Sequence, residues 1–230
     1  MRARLAFLRD YRAPYRAAVL RVGHWRAAPA TWTFLALTLL VSLAWRLPAA
    51  RQAVAACCAY RATDLESWQR AARVAGSAFL LRRPIEAAWS IVASWLLLAP
   101  LEAGIGTGWM LLLGALGNLV PSVSIGLTFL AAHPGAGAPL DVGTSAVVVA
   151  AGAALTVWSR SLGIAALYLL GVAVDVLVSP DLASAEHLLA LAIGAALAVV
   201  LRGLQRRARA RGPSEPSDRN RCFQRPKCVD

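Results

Sequence analysis

Along the chain, long apolar stretches alternate with short breaks that carry arginine, proline or glycine, and the stretches set the architecture. No charge interrupts the run from Ala27 to Trp45, whose centre is Thr31 to Leu43. A helix rising about 1.5 Å per residue needs roughly twenty such residues to cross hydrocarbon, so this run predicts a first span. Five more are expected: Ala87 to Leu101, Trp109 to Ala131, Thr144 to Trp158, Leu162 to Val178 and Ala183 to Leu201. Asn118, Pro121, Ser122 and Ser124 interrupt the third, which predicts a kinked helix packed against neighbours rather than facing lipid. Small residues dominate the fourth and let backbones approach closely. In the sixth, Ala190 and Gly194 form a small-x-x-x-small packing face. The expected fold class is an all-α membrane protein, a six-transmembrane-helix bundle over residues 30–202.

The intervening segments read differently. Over residues 1–29, Leu5, Leu8, Tyr11, Tyr15, Val19 and Val22 recur at helical spacing with Arg9, Arg12 and Arg16 between them, the pattern of an amphipathic helix lying on a membrane surface. Residues 46–86 mix Arg46, Arg51, Arg61, Arg70, Arg73, Arg82 and Arg83 with Asp64 and Glu66, and are expected to form a long first loop with short interfacial helices. Residues 203–230 are basic and rich in proline and serine, and are expected to be a disordered cytosolic tail.

Composition narrows the class. With 58% hydrophobic and only 7% aromatic residues, the chain is too apolar for an ordinary water-soluble domain. Its net charge of +12 would suggest nucleic acid in a soluble protein. Here the basic residues cluster beside the apolar stretches, from Arg2 to Arg26 and from Arg202 to Lys227, which points to anchors at an anionic leaflet. Membrane lipid is therefore an expected partner and nucleic acid is not. Cys57 and Cys58 are adjacent, and Cys222 and Cys228 lie in the tail, so neither pair has the spacing of a zinc site or a C-x-x-C redox motif. No metal or cofactor is expected, and the arginine-rich start does not read as a secretory signal peptide.

Six spans bring both ends of the domain to one side, and the basic clusters, with Arg160 between spans four and five, make that side the cytoplasm of a multi-pass plasma-membrane protein. The outer connections near 134–140 and 180–182 carry no basic residue. The arginines of the first loop run against the rule, which weakens for long loops, and pairing with the loop's acidic residues offsets some of them.

This topology brings two residues of interest to one depth. Ser145 opens span four, span five returns, and His187 stands near the start of span six, so both lie within about one helical turn of the outer face. A serine hydroxyl is a weak nucleophile until an adjacent base takes its proton, and an imidazole is such a base. Against the dyad, a serine at a helix start is commonly a cap or a packing residue, and an intramembrane histidine can serve only to bond a neighbouring carbonyl.

Four short motifs, in order, resemble the rhomboid intramembrane serine proteases over about Arg73 to Leu201. Gly143-Thr144-Ser145-Ala146 is similar to the family's G-x-S-G with its last glycine replaced. Glu186-His187-Leu188 through Gly194 resembles the sixth-helix A-H-L...G. Leu101-Glu102 through Gly106 matches L-E-x-x-x-G, and Arg73 through Phe79-Leu80 lies where the family has W-R...F-L. The resemblance implies a six-helix rhomboid-like fold and an intramembrane serine endopeptidase, with Ser145 as nucleophile and His187 as general base. Its substrates would be transmembrane proteins cleaved near the outer membrane face. One departure stands out: an ungapped match puts Glu86 and Ser90 where the family carries an oxyanion-binding histidine and asparagine. A carboxylate repels a developing oxyanion, and loss of such a donor typically costs about two to three orders of magnitude in rate. The backbone amide of Ser145 and the Ser90 hydroxyl are the remaining donors. That departure keeps open the alternative of a non-catalytic rhomboid-like protein that binds or escorts transmembrane helices as clients. Near the outer end of span five, Asp175 is expected at the depth of His187, where it could orient the imidazole or instead face the loop or pair with a first-loop arginine.

Overall fold

The computed structural model describes residues 27–134, 140–141, 144–159, 162–178 and 182–210. The N-terminal segment up to residue 26, Gly143 and the tail beyond Ala210 lie outside the described residues, as do the side chains of Glu86 and Asp175. Among the described residues the fold is all-α apart from one two-stranded ribbon. Helix α1 (Pro29–Arg46) is followed by α2 (Pro48–Cys58), strand β1 (Tyr60–Arg61), a 3-10 turn (Ala62–Glu66) and the short helices α3 (Trp68–Ala71) and α4 (Arg73–Ser77). Then come α5 (Pro84–Ile105), α6 (Thr107–Ala132), strand β2 (Leu140–Asp141), α7 (Ser145–Ser159), α8 (Leu162–Val178) and α9 (Leu182–Ala210). Among the described residues, three helical stretches are long and apolar enough to cross a membrane: Ala87–Ile105, Thr107–Ala132 and Leu182–Arg207.

Local chemistry explains most of the boundaries. Pro29, Pro48 and Pro84 each open a helix, where a missing N–H costs nothing and the fixed φ suits the first turn. Gly106 separates α5 from α6 at φ 89° and ψ 156°, a region open in practice only to glycine. At the far end, α9 continues past Leu201 to Ala210, so residues 203–210 are helical where a disordered tail was expected. Leu204, Gln205, Arg206, Arg207, Ala208 and Arg209 are good helix formers, and the first breakers after them are Gly212 and Pro213.

A buried carboxylate latches α1 to the α5–α6 turn. Helix α1 has no side-chain cap of its own. Glu102, 1% exposed near the end of α5, accepts the N–H of Ala30 at 2.9 Å and that of Thr31 at 2.7 Å. The same carboxylate accepts the hydroxyls of Thr31 at 2.7 Å and Thr107 at 2.9 Å. A negative charge at a helix N-terminus meets both the unpaired N–H groups and the positive end of the dipole, which is what makes its burial tolerable.

The first loop is ordered by one acid. Asp64, buried in the 3-10 turn, accepts the N–H of Arg61 at 2.9 Å and pairs with Arg73 at 3.2 Å and Arg70 at 3.9 Å. Arg73 also donates to the Ala56 carbonyl at 2.9 Å. The expected pairing of acidic and basic residues within this loop is thus observed. Asn118 of α6 donates to the Val74 carbonyl at 2.8 Å, and the N–H of Leu81 reaches the Ser42 hydroxyl of α1 at 3.1 Å. The loop therefore packs on both helices, and of the four α6 residues expected to face neighbours, Asn118, Pro121 and Ser122 are buried and Ser124 is half-buried.

Helix α7 is the hub of the core, in contact with α5, α6, α8 and α9. Its buried residues are nearly all small, from Ala146 and Val147 through Ala150, Ala151, Gly152, Ala153 and Ala154 to Leu155. Ala150 sits between Gly117 of α6 and Gly194 of α9, at both of which a Cβ would collide with it. Only glycine permits the backbones to come so close.

Candidate active site

The site is built on the heads of α7 and α9, and their packing register fixes how those heads align. Gly194 lies against the carbonyl of Ala150. Seven residues further along α7, the Val157 carbonyl accepts a hydrogen bond from Arg202 at 2.6 Å, a sequence separation of 45. Contacts that advance together along both chains mean that the two helices run parallel. Ala154 and Trp158 beside Leu197, Ala198 and Leu201 extend the same register. Extrapolated back to the helix heads, it puts Ser145 level with about Leu189, roughly 3 Å along the axis from His187. Helix α8 supplies the return between them, held on α7 by the Tyr168 phenol, which donates to the Val149 carbonyl, and by Gly152, which makes room for the Tyr168 ring.

Ser145 is the first residue of α7 and is exposed, while His187 is half-buried in the second turn of α9. Gly194 lies in the helix contact just described and Ala190 beside it is fully buried, as the small-residue spacing predicts. The alanine in place of the motif's last glycine, Ala146, is 4% exposed and joins the core cluster, so its methyl is accommodated. Ser90 is half-buried on α5 and extends a buried stripe of that helix formed by Ser94, Leu98 and Glu102.

Beside the two helix heads lies a polar cluster that the sequence did not single out. The carboxylate of Glu186, next to His187 and 7% exposed, accepts the Ser122 hydroxyl of α6 at 3.4 Å. The backbone carbonyl of Ser122 accepts the phenol of Tyr60 at 3.2 Å. Tyr60 in turn pairs, in β1, with Asp141 of β2, and Leu140 with Arg61, just before α7 begins. Thr144, directly before Ser145, is fully buried and its hydroxyl has no hydrogen-bond partner among the described residues. The one available signal for this cluster was an ionisable residue, Glu186, inside an otherwise apolar helix.

Base-assisted attack on a carbonyl needs a hydroxyl within hydrogen-bond reach of a base; here an exposed hydroxyl and a half-buried imidazole stand near one level of two parallel helices. No group of three or more histidine, cysteine or carboxylate side chains suited to a metal ion occurs among the described residues. Compared with protein-family models the chain matches none, and no curated protein matches it.

Proposed function

We propose that this chain is a rhomboid-like intramembrane serine protease with six spans and cytoplasmic termini, cleaving transmembrane substrates near the outer face of the plasma membrane. The observation that supports it most is the parallel register of α7 and α9, from which Ser145 and His187 come to one depth. In this reading the Ser145 oxygen attacks the scissile carbonyl while His187 takes its proton. The same imidazole returns the proton to the leaving amine, and water releases the acyl group by the reverse sequence. The backbone N–H of Ser145 and the Ser90 hydroxyl are the donors for the tetrahedral oxyanion, and Asp175 is a candidate for orienting the imidazole.

A second reading follows from the residues at the oxyanion positions. With Glu86 and Ser90 in place of the family's histidine and asparagine, the same bundle serves as a non-catalytic binder of transmembrane helices. A fluorophosphonate probe separates the two. Labelling of the purified protein that disappears in both Ser145→Ala and His187→Ala supports the protease. A folded wild-type protein that stays unlabelled beside an active rhomboid protease rules it out in favour of the binder.

A further inference from the structure

A cavity of about 270 Å³ lies away from Ser145, between α1, α5, α6, α7 and the first loop. We propose that it is a binding site for one acyl chain of a bilayer phospholipid. Two parallel rows of α6 define its shape. Met110, Gly114 and Asn118 face inward, while Leu111, Ala115 and Leu119, each one position on, flank the mouth and are exposed. Phe34 of α1 and Phe79 after α4 close the opposite side, their ring centroids 5.3 Å apart.

Three features identify the occupant. The first is chemistry: the lining is nearly all hydrocarbon, and its two polar residues are already engaged. Thr31 donates to Glu102, and Asn118 donates to the Val74 carbonyl. A polar ligand would find little to bond, whereas an apolar cavity of about 150 Å³ already holds a benzene ring. The second is length. From Leu111 to Leu119 the mouth runs about 12 Å along a helix long enough to cross a membrane, so at that depth the surrounding medium is lipid chains. The third is charge. Ala30 and Thr31 of α1 line the cavity, and the sequence preceding α1 carries Arg16, Arg21 and Arg26, charge of the sign that attracts an anionic phospholipid headgroup. The assignment needs α6 to lie in a bilayer but is independent of any protease activity.

The test reconstitutes the full chain in phosphatidylcholine–phosphatidylglycerol vesicles containing a phospholipid with a diazirine in its acyl chain, and maps the adducts by mass spectrometry after illumination. Adducts on Phe34 and Met110 are expected, since both line the cavity and Met110 is only 3% exposed. Ala115→Phe, which fills the mouth and displaces about two buried methylenes, should cut that labelling about tenfold. Leu127→Phe, on the exposed surface outside the cavity, should leave it unchanged. Leu119→Ala widens the mouth without adding bulk and should raise it, which guards against a folding defect in the filled variant. Labelling confined to surface positions such as Leu127 would mean that lipid only surrounds the helix, or that a polypeptide closes the cavity, and would overturn the proposal. So would cavity labelling that neither variant alters.

Discussion

The phenol of Tyr60 reaches across 62 residues of sequence to donate to the backbone carbonyl of Ser122, at 3.2 Å. That bond joins the ribbon leading into α7 to the turn of α6 that also touches Glu186, and so ties the heads of α7 and α9 to a common support. A tyrosine 1% exposed can keep its hydroxyl there only if it is paired. Tyr60→Phe removes the donor and leaves the ring, at an expected cost of about 1 kcal/mol. For a chain of this size that is a fall of roughly 2–4 °C in Tm, read by thermal scanning in detergent. Ser122→Ala should leave the Tyr60 bond intact, because the acceptor is main chain, and should loosen only Glu186.

Gly194→Ala should be among the most damaging single methyl additions in the protein. The new Cβ meets the backbone of Ala150, which cannot rotate away, so α7 and α9 must separate along their shared face. Overpacking typically costs about 1–3 kcal/mol, and a backbone obstacle puts this case at the upper end. Gly171→Ala on α8, where nothing lies within 4 Å of the added carbon, is the matched control and should be neutral or slightly stabilising. Equal melting points for the two variants would contradict the close contact of α7 and α9.

Glu102 distinguishes charge from shape. Glu102→Ala strands the Ala30 and Thr31 N–H groups together with two hydroxyls, all of them wholly or partly buried. The expected loss is about 3 kcal/mol or more, or roughly 6–12 °C in Tm. Glu102→Gln keeps one acceptor but forfeits the charge at the helix N-terminus, and should fall between this and the wild type. Amide exchange at Thr31 should accelerate in both variants before it changes in α6.

Cys57 and Cys58 share a peptide bond and differ in chemistry. Both are free, with their sulfurs 3.0 Å apart, but Cys57 is exposed and Cys58 is 5% exposed. Burial first, then the hydrogen bond and charge of Cys57, push the Cys58 thiol from 9.0 up to about 12. Maleimide at neutral pH should therefore alkylate Cys57 and spare Cys58, as peptide mapping would show. Because the folded state holds its proton more tightly than the unfolded chain, the contribution of Cys58 to stability is intact below pH 9 and declines as pH rises from there towards 12. Cys58→Ala should flatten that alkaline decline.

Much of this architecture could be read from the sequence, and what could not has a common cause. Every apolar stretch became a helix, Leu162 to Val178 with the expected ends, because chain length and hydrophobicity are local properties. The pairing of Asp64 with Arg73 was foreshadowed by their nearness in the first loop. Glu102 was visible as part of a short motif, yet its role as a cap was not, since its partners stand 71 and 72 residues away and Thr31 looks like any other residue of an apolar run. Glu186 was hidden for the same reason: beside a helix start it resembles an ordinary acid favouring the dipole, and its partner Ser122 lies 64 residues upstream. Ser145 and His187 could be assigned a depth by counting helices, but the axial agreement came only from the Ala150–Gly194 and Val157–Arg202 contacts.

The latch at Glu102 also imposes an order on biogenesis. Helix α1 leaves the ribosome ahead of α5, with its leading N–H groups uncapped, and the carboxylate that completes it follows 71 residues behind Thr31. At about 5–20 residues per second, that gap is roughly 4–14 s of translation. Throughout that interval α1 is an apolar helix that lacks its native cap. Slowing elongation between the codons for Arg46 and Glu102 would lengthen the exposure, and quality-control proteases would find the nascent chain most vulnerable there.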